Sequence, residues 1–188
     1  MVTDFSAAFG PAEPYPYEET HDLRQGPDLN PRMLPLLPFV GVFRGKGHGV
    51  YPTVPEFAFA QEVRVSHDGR PFLFYESRTW LIDGDDKPVR PAAREVGWFR
   101  TVEGSDREVE LLLAHPTGIM ELYLGTVDGT KMELATDAVV RTASAKEVVA
   151  GHRLYGIVDR KLLYAAEMAA EGHPLQSHLS AQLDRVGG

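Results

Sequence analysis

The 188-residue chain contains no cysteine. That absence excludes disulfides, Fe–S clusters, thiolate-bound metals, cysteine-based zinc sites and thiol catalysis. Positive charge is also scarce, with 19 Lys and Arg against 27 Asp and Glu and a net charge of −8. A nucleic-acid binder needs a basic footprint to release phosphate counterions, and none is present. The same sign argues against an anionic membrane surface. No run approaches the roughly 18 apolar residues of a spanning helix. The N-terminus, MVTDFSAAFGPAEPYPYEET, lacks the basic start and apolar core of an export signal, so a cytoplasmic location is expected.

Catalytic and metal motifs are equally sparse. The seven histidines, at 21, 48, 67, 115, 152, 173 and 178, form no H-x-x-x-H or H-x-H pair. His173 and His178 are five apart across Pro174, a poor spacing for one metal on a regular element. There is no G-x-S-x-G elbow, and the paired acids Asp85-Asp86 lie in a turn where they are read as solvated.

What the chain does contain is strand. Residues 1–33 stand apart, with five prolines and six acids against two bases. Such a composition cannot bury enough apolar surface to offset its ordering entropy, so this part is expected to be a flexible leader, dispensable to the site. Leu34, Leu36, Leu37 and Phe39, set among Pro35 and Pro38, read as an apolar plug. From Val40 the pattern is strand, turn, strand, over 40–50, 57–66, 71–82, 94–102, 108–115, 118–127, 131–141, 146–158, 160–169 and 177–186. Phe57, Phe59, Gln61, Val63 and Val65 share one face of such a strand. Ten strands at this spacing predict an all-β, ten-stranded antiparallel barrel over 34–188, with room for a ligand inside.

Gly41, Phe43, Gly45 and Gly47 lie on one face of the first strand. Glycine at alternate positions strips that face of side chains, which suits either a bulky ligand or the bend that closes a small barrel. Both readings stay open on sequence alone.

Gly41-Val42-Phe43-Arg44-Gly45-Lys46-Gly47 followed by Tyr51-Pro52-Thr53 resembles the opening G-x-W-x-G-x-G and Y-P-T of the nitrobindin family. Gly97-Trp98-Phe99-Arg100, Leu113 to Gly118, Ala145 to Val148, and Met168 through Pro174 and His178 to Leu183 follow in the family's order. The resemblance spans about 34–186. It implies a calycin-like, fatty-acid-binding-protein-like barrel that carries one haem b per subunit, binds nitric oxide or peroxynitrite and isomerises peroxynitrite to nitrate. It leaves a homodimer open.

Residue by residue, the resemblance makes His178 the axial haem ligand and hence the catalytic and metal position. Met168 and His115 become pocket-lining residues, with His115 read as packing in preference to chemistry. Thr53 and Lys146 fall at the haem edge and its propionates. Phe43 replaces the family's tryptophan, keeping apolar bulk and losing an N–H donor. Ala92 and Ala93 imply a roomier pocket. Strict alternation sets His178 opposite in phase to Leu179 and Leu183, so either a bulge re-aims it or the inner face of that strand is the more polar one. The rival reading is a non-enzymatic calycin-like carrier of a lipid or another apolar molecule, which barrel composition supports equally.

Overall fold

The structure, a computed structural model, describes residues 16–188. Ten strands follow one another as an antiparallel meander: β1 Gly41–Tyr51, β2 Val54–Ser66, β3 Leu73–Ile82, β4 Pro88–Thr101, β5 Glu108–His115, β6 Ile119–Asp128, β7 Lys131–Arg141, β8 Val148–Val158, β9 Lys161–Ala170 and β10 Gln176–Gly187. Each strand pairs with its sequence neighbours, and β1 pairs with β10 to close the barrel. The predicted barrel is therefore observed. The largest displacement of a boundary is β4, which begins at Pro88, six residues earlier than the apolar pattern that starts near residue 94. Its first half is exposed on both faces and carries no alternation to read.

Alternation positions the core. On β2, Phe59, Gln61, Val63 and Val65 are buried, while Ala60, Glu62 and Arg64 face outward and are only partly covered. Matching inward rows, Tyr75 on β3, Phe99 on β4, Leu111 and Leu113 on β5 and Leu183 on β10, complete one continuous interior. Hairpin chemistry sets the register at several turns. Asp159 and Arg160, at φ 49° and 65°, and Glu171 and Gly172, at φ 53° and 79°, take the left-handed values of primed turns that match strand twist.

The alternating glycines of β1 face the seam with β10. A Cβ on Gly45 would stand 2.2 Å from the Gln182 carbonyl oxygen, and one on Gly47 would stand 2.2 Å from the Phe59 ring and 2.5 Å from the Ser180 oxygen. Of the two readings open on sequence, close approach of a neighbouring strand is the one these contacts support.

The two ends of the barrel differ. At one end a 3-10 segment, Pro31–Phe39, inserts Met33, Leu36 and Phe39, whereas Leu34 and Leu37 remain exposed. Asn30 caps it by accepting from the Arg32 amide, and Arg185 donates to the carbonyls of Pro38 and Val40 while its guanidinium lies 4.5 Å over the Phe43 ring. Phe43 is thus fully buried, with a cation against its face. Of the expected leader, residues 1–15 lie outside the described residues. Residues 16–33 run along this end, where Thr20 exchanges two backbone hydrogen bonds of 2.8 Å with His67. No helix among the described residues is long and apolar enough to cross a membrane, which says nothing about strands.

His67 is 1% exposed and neither ring nitrogen has a hydrogen-bond partner among the described residues. Burial lowers its pKa below the ordinary 6.5, against a smaller opposing pull from Asp68. The unfolded chain therefore binds the proton more readily, and stability falls as pH drops below about 6.5 until the folded-state pKa is reached. Urea titrations across this range should show His67→Phe with a flatter pH dependence than the native chain. An unchanged slope would show that other groups set it.

Candidate functional site

The opposite end is a mouth formed by the β1–β2, β3–β4, β5–β6, β7–β8 and β9–β10 connections. Beneath it lies a cavity of about 160 Å³ lined by, among others, Ala93, Glu95, His115, Glu121, Arg153, Met168 and His178. His178 reaches this cavity because β10 is bulged. Ser177 pairs with Glu167 and Leu179 with Ala166, so His178 is the extra residue, and both it and Leu179 line the same space. The bulge resolves the phase conflict in the sequence.

The His178 ring is held on two sides. Its Nδ1 donates to the Val50 carbonyl oxygen at 3.2 Å, and Tyr51 packs edge-on with ring centroids 5.4 Å apart. Tyr51 is itself buried and anchored through its hydroxyl, which accepts from the Ala170 amide at 2.8 Å and donates to the Ala170 carbonyl at 3.1 Å. A carbonyl can only accept, so Nδ1 carries the hydrogen and the Nε2 lone pair is left over. Nε2 has no hydrogen-bond partner among the described residues. Burial lowers the His178 pKa, outweighing the Val50 carbonyl that favours the charged ring. The result is a neutral imidazole in a fixed tautomer with its lone pair free, which is what a metal ligand requires.

Thr53 and Lys146 lie at the mouth, not inside. Both engage Glu171, the Thr53 hydroxyl donating at 2.7 Å and the Lys146 ammonium standing at 3.5 Å. Met168 packs with Tyr51, Ile119, Val148 and Ala170. His173 also packs edge-on to Tyr51, with centroids 5.9 Å apart, and does not line the cavity. Gly41, Phe43 and Gly45 do not line it either, and Gly47 borders a separate apolar concavity of about 770 Å³ on the outer face of the barrel.

Sequence reasoning did not identify the charged cluster in the cavity wall. Glu95 on β4 accepts from Arg153 Nη2 at 2.7 Å, from Arg153 Nη1 at 3.2 Å and from the Tyr75 hydroxyl at 3.1 Å. Glu121 on β6 accepts from the Tyr123 hydroxyl at 2.9 Å and from His115 Nε2 at 2.8 Å. Arg153 also donates to the hydroxyls of Tyr123 and Tyr155. Burial alone would raise the Glu95 pKa, but the attraction and hydrogen bonds of Arg153 win and hold it at about 2. The readable signal was phase: Glu95, Glu121 and Arg153 fall in step with buried Phe99, Tyr123 and Tyr155.

A closed barrel whose cavity is lined by a histidine with one nitrogen unpartnered among the described residues defines a ligand-binding barrel that can hold a group by a nitrogen bond. The sequence matches the family described as "THAP4-like, heme-binding beta-barrel domain" over residues 32–185. The chain belongs to this family of haem-binding barrels. It is 62% identical over 181 residues to a protein named peroxynitrite isomerase from Salinispora arenicola, covering 95% of this chain and 92% of that one. It is 49% identical over 173 residues to a ferric nitrobindin-like protein from Saccharopolyspora erythraea, covering 90% and 81%. Among solved structures, that of Rv2717c from M. tuberculosis superposes with a TM-score of 0.75 at 39% identity, covering 84% of this chain and 99% of that one.

The donor set fits the family's cofactor. Haem iron is commonly held by one neutral imidazole, and His178 offers one. The enclosed 160 Å³ is smaller than the roughly 300–1,000 Å³ of small-molecule sites, so a porphyrin would need the open mouth as well.

The charged cluster makes a stability prediction. Arg153→Met leaves Glu95 buried without its main partner and should cost about 3–5 kcal/mol in urea unfolding. Glu95→Gln combined with Arg153→Met should recover part of that loss. In the native chain the depressed Glu95 pKa contributes stability that is present above about 4.5 and lost as pH falls toward about 2. That acid limb should be weaker in the double variant.

Proposed function

We propose that this chain is a haem b protein that isomerises peroxynitrite to nitrate, in which His178 Nε2 would hold the haem iron. The observation that carries this reading is the His178 ring, whose tautomer is fixed by Val50 and which lines the cavity of a haem-binding barrel with Nε2 unpartnered among the described residues. Relatives named peroxynitrite isomerase at 62% identity support the activity.

Bound haem would supply an iron with an exchangeable position at which the O–O bond of peroxynitrite is broken and an N–O bond formed. The protein does the rest. Val50 and Tyr51 keep the ring from rotating, so no reorganisation is needed when the ligand bond forms. Met168, Ile119 and Val148 provide an apolar wall that excludes water. Thr53 and Lys146 offer a hydroxyl and an ammonium at the mouth, suited to the propionate carboxylates, and Glu171 already shows that the pair accepts a carboxylate. His115 is held by Glu121 and acts through the wall, not as a ligand to iron.

Hemin titration tests the assignment. His178→Ala should weaken and shift the Soret band, and added imidazole should partly restore it because the vacated space is ring-shaped. His173→Ala should retain the native spectrum. Loss of the axial ligand in the His173 variant with retention in the His178 variant would reassign the site. A lipid carrier would instead release an extractable apolar ligand and give the same result with either substitution.

A second prediction separates the leader from the site. Removing residues 1–15 should leave hemin affinity within about twofold of the full chain, since the mouth and the 16–33 strap lie at opposite ends. A larger loss would place those residues over the mouth.

A further inference from the structure

His115 is anchored through one ring nitrogen and open at the other. Its Nε2 meets the Glu121 carboxylate at 2.8 Å. Burial opposes the charge on Glu121, but the His115 hydrogen bond and the attraction of Arg153 outweigh it and keep the carboxyl ionised. An ionised carboxylate can only accept, so Nε2 carries the hydrogen and the neutral ring keeps a bare lone pair on Nδ1. The Glu95 carboxylate stands 3.9 Å from Nδ1, beyond hydrogen-bond range, and Nδ1 has no hydrogen-bond partner among the described residues. Packing against the wall accounts for Nε2 and leaves Nδ1 unused.

The ring is also well placed. His115 is the last residue of β5, at the mouth, and β5 lies five strands from β10 in either direction round the closed barrel. It therefore stands on the wall opposite His178, and both residues line the same cavity. The His115 side chain is 17% exposed, enclosed yet in touch with water. Its charged surroundings are Glu95 on β4, Glu121 on β6, Arg153 on β8 and Glu167 on β9, the last paired with His152 at 3.1 Å. Glu95, Glu121 and Arg153 form the charged cluster and sum to −1, so one proton added at Nδ1 brings this part of the wall to neutrality. The imidazolium so formed has a carboxylate beside each nitrogen.

We propose that His115 is a catalytic residue whose Nδ1 accepts the proton of a ligand that enters the cavity as its conjugate acid and binds as the anion. The inference rests on the haem reading given above. Peroxynitrous acid is a weak acid and nitrate is the anion of a strong one, so isomerisation of the acid form must release a proton. In this step the O–H bond of the acid breaks, its electron pair stays on oxygen, and an N–H bond forms at His115 Nδ1. The rearrangement to nitrate leaves the anionic charge unchanged and needs no further reagent. Nitrate is too weak a base to take the proton back, so the proton passes from Nδ1 to water.

Cyanide and azide separate this role from a structural one in the ferric, hemin-loaded protein. At neutral pH hydrogen cyanide is uncharged and must lose its proton to bind as cyanide, whereas azide is already an anion. His115→Gln keeps an amide N–H for Glu121 and removes the basic nitrogen. Cyanide association, followed by stopped-flow at the Soret band, should slow by about 100-fold, the lower end of what a positioned acid or base supplies. Azide association should change less than about threefold, since its binding needs no proton transfer. Unslowed cyanide binding, or equal slowing of both probes, overturns the proposal.

Nitrogen NMR of the histidine rings in the native full chain, before hemin is added, tests the same assignment without a variant. At neutral pH His115 should show a hydrogen on Nε2 and none on Nδ1. A hydrogen on Nδ1 at that pH leaves no acceptor and overturns the proposal, with the haem reading intact. Absence of a histidine-ligated haem spectrum in the native protein overturns both.

Discussion

The antiparallel pairing of β1 with β10 closes the barrel, and the mouth is organised around that seam. The strands meet closely because Gly45 and Gly47 present no Cβ to the backbone of β10. Beyond Leu179 the regular pairing with β1 stops, and on its other side β10 gains one residue against β9. That extra residue is His178, and the carbonyl that fixes its tautomer, Val50, lies at the end of β1. The site histidine therefore sits where the closing seam runs out, held by two neighbouring residues at the end of β1: Val50 through its carbonyl, and Tyr51, whose hydroxyl is pinned to the backbone of β9. Loss of the seam would remove the ring's orientation together with the fold.

Closure also makes the interior charges tolerable. An isolated buried carboxylate or guanidinium would be prohibitively costly, and a buried pair is a poor source of net stability. Glu95, Glu121 and Arg153 persist because three tyrosine hydroxyls and one imidazole complete their hydrogen bonding. Such a network is inflexible. Its members have few alternative partners, so it fixes the cavity wall in one arrangement at the expense of the larger stability an apolar core would give.

Much of the architecture was readable from the chain. Ten strands, their order and most of their limits follow from period-two burial punctuated by Asp-Gly and Glu-Gly turns. The inward face of β2 could be read from Phe57 to Val65 alone. The interior charges were not readable in the same way, because a lone Glu or Arg in a strand is usually outward, and only its phase against distant apolar residues reveals otherwise. For His178 the opposite happened: phase pointed outward and a bulge overrode it. Bulges depend on pairing with a partner strand, which one strand's pattern cannot contain. Family resemblance named His178 where periodicity argued against it. It gave no indication of Val50, whose contribution is a backbone carbonyl with no side-chain signature.

The barrel divides its tasks between its ends. At one end the Pro31–Phe39 segment, the residue 16–30 strap and Arg185 fill and cap the interior, using prolines and apolar side chains that leave little space. At the other end five connections surround a cavity whose carboxylates and guanidinium pair with one another and with tyrosine hydroxyls, while His178 Nε2 has no hydrogen-bond partner among the described residues. Because the capped end supplies buried apolar area and the mouth supplies little, the mouth can keep a free lone pair and an open approach without endangering the fold. The continuous strands between them couple the two ends only through the barrel's closure. A substitution at the mouth should therefore act mainly on binding and one at the cap mainly on stability, with the β1–β10 seam and the Glu95–Arg153 pair, which span the interior, affecting both.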